Sequence, residues 1–210
     1  MDMRELVNSW ARRLPTWVVY LALAAPAPWL FFLAVTGGLG VDPVKALEHE
    51  YGLIALQLLI AGLCITPLRR YAGVSLLKFR RALGLLAFCY VVLHLLVWAV
   101  LDVQAFDRVW ADIVKRPYIT IGMTALLLML PLAATSNNLS LRRLGPRWRQ
   151  LHRLTYAVAV LAAVHFVWLR KGWQVEPLVY LLAILVLLGL RTVPRNRGRM
   201  VGRPSRDSRA

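Results

Sequence analysis

The 210-residue chain is 59% hydrophobic, with a mean hydropathy of +0.58 and a formal net charge of +16. So apolar a composition excludes an ordinary soluble domain and points to a protein that crosses a membrane several times. The basic residues lie between apolar runs and not on one soluble face, so the charge reads as a positive-inside bias and not as a nucleic-acid surface.

In chain order, Arg12 and Arg13 precede the first apolar run. Ala25-Pro26-Ala27 has the small residues of a signal cleavage site, but the run continues through Trp29 to Val35. An uncleaved first helix is therefore expected. Six apolar segments follow one another at residues 17–36, 51–68, 81–101, 118–134, 151–169 and 177–190. The second, fourth and sixth are near the lower limit for spanning a bilayer. Pro26 and Pro28 predict a kink in the first. None of the runs alternates with period two, which excludes a closed barrel. The expected fold class is all-α, a six-transmembrane-helix bundle.

The loop charges orient that bundle. With the N-terminus inside, 20 of the 26 Lys and Arg residues fall on the cytoplasmic side. The outside keeps Lys45, Arg108, Lys115, Arg116, Arg170 and Lys171. Both termini are expected to be cytoplasmic. The chain then divides into a cytoplasmic segment at 1–16, a membrane domain at 17–190 and a basic tail at 191–210. The tail, rich in Arg, Gly, Ser and Pro, is expected to be disordered. No G-x-G-x-x-G follows a predicted strand. An electron donor would therefore be membrane-soluble or a separate protein.

The two cysteines, Cys64 and Cys89, lie inside apolar helices, and no C-x-x-C-H occurs. Covalent c-type haem attachment is unsupported, and both thiols read as buried small hydrophobes.

Three histidines lie in the apolar helices: His94, His152 and His165. Intramembrane histidine is expensive and by default marks a functional site. His94 follows Arg81 by about 20 Å of helix and His165 follows Arg153 by about 18 Å. Both helices run outward, so the two rings are expected to meet at one level in the outer half. A lone histidine would read as an interhelical hydrogen-bonding group. Two at matched depth read as axial ligands of one haem iron. Imidazole on both sides leaves no open position, which suits electron transfer over oxygen binding.

His152 lies near the cytoplasmic end of the fifth helix, about 140° off the face of His165 if that helix is straight. Fourteen residues before His94 the third helix offers Arg80, not a histidine. Three roles stay open for His152: ligand of a second haem with an unusual partner, partner of a propionate, or contact for a quinone or flavin. Arg80, Arg149 and Arg153 would neutralise propionates or phosphate, or equally are interfacial positive-inside charges. His49, between Glu48 and Glu50, is expected to be solvated in the first outer loop. Trp98 and Trp168 follow His94 and His165 by about one turn, where they would pack on a porphyrin edge or belong to the aromatic belt. The rival class is a small transporter or proton pathway, whose only polar lining would be Gln57, Thr66, Thr120, Thr124 and Thr155.

Four stretches together carry a resemblance: ITPLRR, RRALGLLAFCYVVLH, KRPYITIG, and TS followed by LRRLGPRWRQLHRLTYAVAVLAAVHFVW. With them the chain resembles the MsrQ (YedZ) family within the ferric-reductase-like transmembrane group, over residues 10–190. The resemblance implies one or two haem b groups and FMN. It implies electrons taken from the quinone pool and passed to a periplasmic molybdopterin subunit, MsrP, with which the chain would form a heterodimer. That partner reduces methionine sulfoxide in oxidised proteins, so the chain would be a relay subunit and not an enzyme on its own. His94, His152 and His165 match the family's haem-associated histidines. The implied location is the bacterial inner membrane. Sulfoxide repair comes from the resemblance alone.

Overall fold

A computed structural model of the chain describes residues 2–170 and 174–192. Among them every regular element is helical. Helices α1 (Met3–Arg13), α2 (Thr16–Ala24), α3 (Pro26–Val35) and α4 (Pro43–Pro67) come first. They are followed by α5 (Arg80–Leu96), α6 (Phe106–Lys115), α7 (Pro117–Ala134), α8 (Asn138–Leu144), α9 (Pro146–Leu151), α10 (Leu154–Leu169) and α11 (Val175–Thr192). Among the described residues five stretches are long and apolar enough to cross a membrane: Thr16–Val35, Pro43–Ala72, Leu77–Val103, Pro117–Ala134 and Pro146–Leu169. The sixth predicted segment forms α11, which runs past the expected boundary at 190 to Thr192. The predicted disordered tail from Pro194 lies outside the described residues.

Local chemistry explains where the sequence reading and the helices part. The second span begins at Pro43, eight residues ahead of the apolar run, because Asp42 caps it. The Asp42 carboxylate accepts from the Lys45 backbone N–H at 3.1 Å, and Pro43 fills the first helical position, where no N–H is needed. His49 is consequently not in a solvated loop. It lies within α4, half-buried, 5.8 Å from the Phe166 ring, and Arg170 Nη2 lies 2.9 Å from its Nε2. The loop expected at 102–116 contains α6, and the segment expected at 1–16 contains α1.

The first span is broken at Ala25 between α2 and α3, at the predicted proline kink. Two buried tyrosines donate hydroxyls to backbone carbonyls beside the break: Tyr51 to Ala27 at 2.7 Å and Tyr90 to Leu23 at 2.9 Å. The fifth span is also broken. His152 and Arg153 form a turn between α9 and α10, so the straight-helix angle between His152 and His165 does not apply.

The core is built where α4 packs on α5 and α7 packs on α10, with α11 closing against α4 and α10. Ala87, Ala159 and Ala163 are fully buried, the small residues that let helices approach closely in a bilayer. The outward faces are apolar too: Trp29, Phe31 and Phe32 on α3 and Leu182 and Leu185 on α11 are exposed. Cys64 is half-buried and, against expectation, Cys89 faces outward from the bundle. A belt of exposed apolar side chains around several long helices is the surface of a multi-pass membrane protein.

Candidate functional site

His94 on α5 and His165 on α10 face each other with ring centres 6.3 Å apart and planes at 85°. Each ring is held by a backbone carbonyl of the neighbouring helix. His94 Nδ1 lies 2.8 Å from the Glu48 carbonyl of α4, and His165 Nδ1 lies 2.7 Å from the Tyr118 carbonyl of α7. A carbonyl only accepts, so both Nδ1 atoms carry the proton and both Nε2 lone pairs are left for another group. This is the outer bond that fixes tautomer and orientation in metal-ligating histidines.

The sequence reading missed the feature that makes those bonds reachable. Gly52 and Gly122 each lie four residues after the accepting carbonyl. In an α-helix the side chain of residue i+4 stands over the carbonyl of residue i. Here glycine leaves that place open and the imidazole fills it. A Cβ at Gly52 would lie 3.1 Å from His94 Nδ1, and one at Gly122 would lie 2.9 Å from His165 Nδ1. The same seat is thus built twice, on α4 and on α7. The signal in the sequence was a glycine near the start of each apolar run, EYGLIAL and ITIGMTAL, although the first run also carries Gly62.

Both rings open into a cavity of about 420 Å³, lined mostly by apolar side chains with Trp98 among them. Lys45, Glu48, Asp102, Arg116 and Arg170 also line it. Lys45 and Asp102 pair at 2.7 Å. Arg170 Nε is buried with no hydrogen-bond partner among the described residues. Trp168 is more than half exposed and does not line the cavity. Among the described residues no group of three or more His, Cys, Asp or Glu is placed to hold a metal ion. Two imidazoles are too few ligands for a free ion. A metal held by this pair would need further ligands from a group bound with it, and two imidazoles each bonded at about 2 Å would stand about 6 Å apart between ring centres.

His152 is placed elsewhere and differently. It stacks on Trp148 at 3.9 Å between ring centres, and its Nε2 lies 3.1 Å from Thr135 Oγ1. The Thr135 hydroxyl gives its hydrogen to the Pro131 carbonyl at 2.6 Å, so it accepts from His152 Nε2–H. His152 therefore has the opposite tautomer to His94 and His165. It lines a second cavity, of about 930 Å³, together with Lys78, Arg80, Arg81, Arg149, Arg153 and Arg191. No carboxylate lines this cavity among the described residues. Arg191 Nε is buried there without a hydrogen-bond partner among the described residues, although the other nitrogens of that side chain reach Tyr156 Oη at 3.0 Å and the Leu63 carbonyl at 2.6 Å. Leu59, Met129 and Val158 line both cavities and form the layer between them.

Comparison with known proteins bears on this arrangement. Residues 50–163 match the family described as "Ferric reductase like transmembrane component". The "Protein-methionine-sulfoxide reductase heme-binding subunit MsrQ" of Agrobacterium fabrum is 48% identical over 178 residues, 84% of this chain and 83% of that protein. The protein of the same name from Brucella ovis is 49% identical over 173 residues, 82% of this chain and 79% of that one. The chain belongs to the MsrQ family. The ferric-reductase-like match takes in Gly52, His94, Gly122 and His152 and stops two residues before His165. The longer similarity to MsrQ proteins extends well beyond that core. No solved structure matches the chain.

Proposed function

We propose that the chain is a haem b-binding, electron-relaying membrane subunit of a protein-methionine-sulfoxide reductase system, with His94 and His165 as the axial ligands of one iron. The observation that carries this reading is the pair of facing imidazoles, each with Nδ1–H fixed on a carbonyl and Nε2 free. Haem b, when bound, supplies one-electron transfer. The chain's own residues do the rest. Gly52 and Gly122 admit the rings to their carbonyls. Apolar walls surround the rings, and Arg170, whose Nε is buried without a partner among the described residues, offers a charged donor for a propionate, with Lys45 and Arg116 nearby in ion pairs.

The second cavity is the place for a further cofactor, a second haem or FMN as the family resemblance implies. Its six Lys and Arg side chains and the orphaned Arg191 N–H suit propionates or a phosphate alike. His152, stacked on Trp148 and bonded through Nε2, acts there as a contact, as a propionate partner once Nδ1 also carries a proton, or as a ligand through Nδ1 or after Nε2 leaves Thr135. Electrons enter from the quinone pool at this end and leave at the outer cavity for a periplasmic molybdopterin subunit, MsrP. The bundle has six spanning helices in a bacterial inner membrane, both ends cytoplasmic, as the loop charges require. A transport pathway fits less well, because Gln57, Thr66, Thr120 and Thr124 line neither cavity and only Thr155 does.

Reconstitution tests the relay. The purified chain in lipid, given a quinol, is expected to reduce no methionine sulfoxide until the periplasmic subunit is added. Robust turnover by the haem-loaded chain alone contradicts it.

A further inference from the structure

We propose that α1 is a surface helix that binds anionic phospholipid along the membrane boundary, with Met3, Leu6, Val7 and Trp10 buried among acyl chains. At about 100° per residue these four fall within about 100° of one another around the helix. All four are exposed, Met3 and Trp10 at 72% each. Met3 to Trp10 at i, i+3, i+4 and i+7 is the stripe of an amphipathic helix.

The other faces of α1 are already assigned. Ala11 is buried, and Asn8 on the same side ties the helix to the loop after α4. Its Nδ2 donates to the Gly73 carbonyl at 3.0 Å and its Oδ1 accepts from the Ser75 N–H at 2.8 Å. Arg4 packs beside Gly73, which has a positive φ of 71°. Lys78 Nζ closes the helix end, donating to the Arg12 carbonyl at 3.0 Å and the Leu14 carbonyl at 2.6 Å. Glu5, Ser9 and Arg12 form the third, polar face. One side is thus docked, one suits water, and one is apolar and bare.

Two features choose lipid as the occupant. Only Leu14 and Pro15 separate α1 from the spanning stretch Thr16–Val35. Two residues reach at most about 7 Å, so α1 cannot leave the boundary at which that span enters the bilayer. Beyond that short link α2 also exposes apolar side chains, Trp17 and Leu21 at 61% and 63%. The neighbouring charge is also predominantly positive. Arg4, Arg12, Arg13 and Lys78 outnumber Asp2 and Glu5, and Asp2 already pairs with Arg4 at 3.4 Å. A basic helix with an apolar stripe lies in the interface of an anionic leaflet.

The test uses the full chain with Cys64 and Cys89 replaced by Ala, in nanodiscs of phosphatidylcholine with or without phosphatidylglycerol. Single cysteines at positions 5, 7, 9 and 10 carry a spin label, read against oxygen and a water-soluble nickel chelate. With phosphatidylglycerol present, labels at 7 and 10 are expected to meet oxygen and be shielded from nickel, and labels at 5 and 9 the reverse. Equal nickel access at all four positions places the stripe in water and overturns the proposal. Exclusion of both reagents from 7 and 10 means that protein, such as a second copy, covers the stripe, and also overturns it. The contrast should weaken without phosphatidylglycerol; an unchanged contrast overturns the anionic part.

Discussion

At the level of single residues, the account rests on hydrogen-bond direction. His94 and His165 give Nδ1–H to carbonyls and keep Nε2 free, while His152 gives Nε2–H to Thr135. The three histidines were legible in the sequence as a set, and helix rise put two of them at one level. Depth already set His152 apart from the pair, but its tautomer was not legible, because tautomers follow from neighbours on other helices. The glycine seats make a sharp prediction. Gly122→Ala places a Cβ 2.9 Å from His165 Nδ1 and must move the ring, whereas a Cβ at Gly189, on α11, lies within 4 Å of neither histidine. Gly189→Ala is thus expected to leave the bound-haem spectrum unchanged. Gly122→Ala should alter it strongly and Gly52→Ala, at 3.1 Å, less so. Electron paramagnetic resonance of the ferric protein checks this, and identical spectra for Gly122→Ala and the parent would contradict the seat.

Among the helices, the apolar runs located the spans but not their ends or breaks. Ends are set by caps, and the early start of α4 depends on one carboxylate and one proline. Asp42→Ala should cost about 0.5–2 kcal/mol, the usual worth of such a cap. Hydrogen exchange should quicken at the amides of Lys45 and Ala46, while the Glu48 carbonyl, a turn and more further in, keeps its hold on His94. Unchanged exchange would show that the cap does not set this end. The kink at Pro26 was legible because proline lacks an N–H. Its two tyrosine partners were not, since Tyr51 and Tyr90 come from α4 and α5. The turn at His152–Arg153 had no proline or glycine within it to announce it.

For the whole molecule, composition gave the membrane class and the loop charges gave an orientation that fusions can check. A reporter after Arg191 is expected to behave as cytoplasmic and one within 102–116 as periplasmic, and the opposite pattern would reverse the proposed direction of electron flow. Two cavities divided by Leu59, Met129 and Val158 were beyond the reach of the sequence, because a cavity is set by how helices pack. The facing histidines line one of them and the basic side chains line the other. The central claim is that His94 and His165 share one iron. Visible absorption and electron paramagnetic resonance spectra of the purified chain and of His94→Ala, His165→Ala and His152→Ala test it most directly. The parent should show a low-spin, six-coordinate haem, and either His94→Ala or His165→Ala should lose haem or turn high-spin, while His152→Ala keeps that low-spin centre. Loss of all haem in His152→Ala, with the low-spin spectrum intact in His94→Ala, would contradict the pairing.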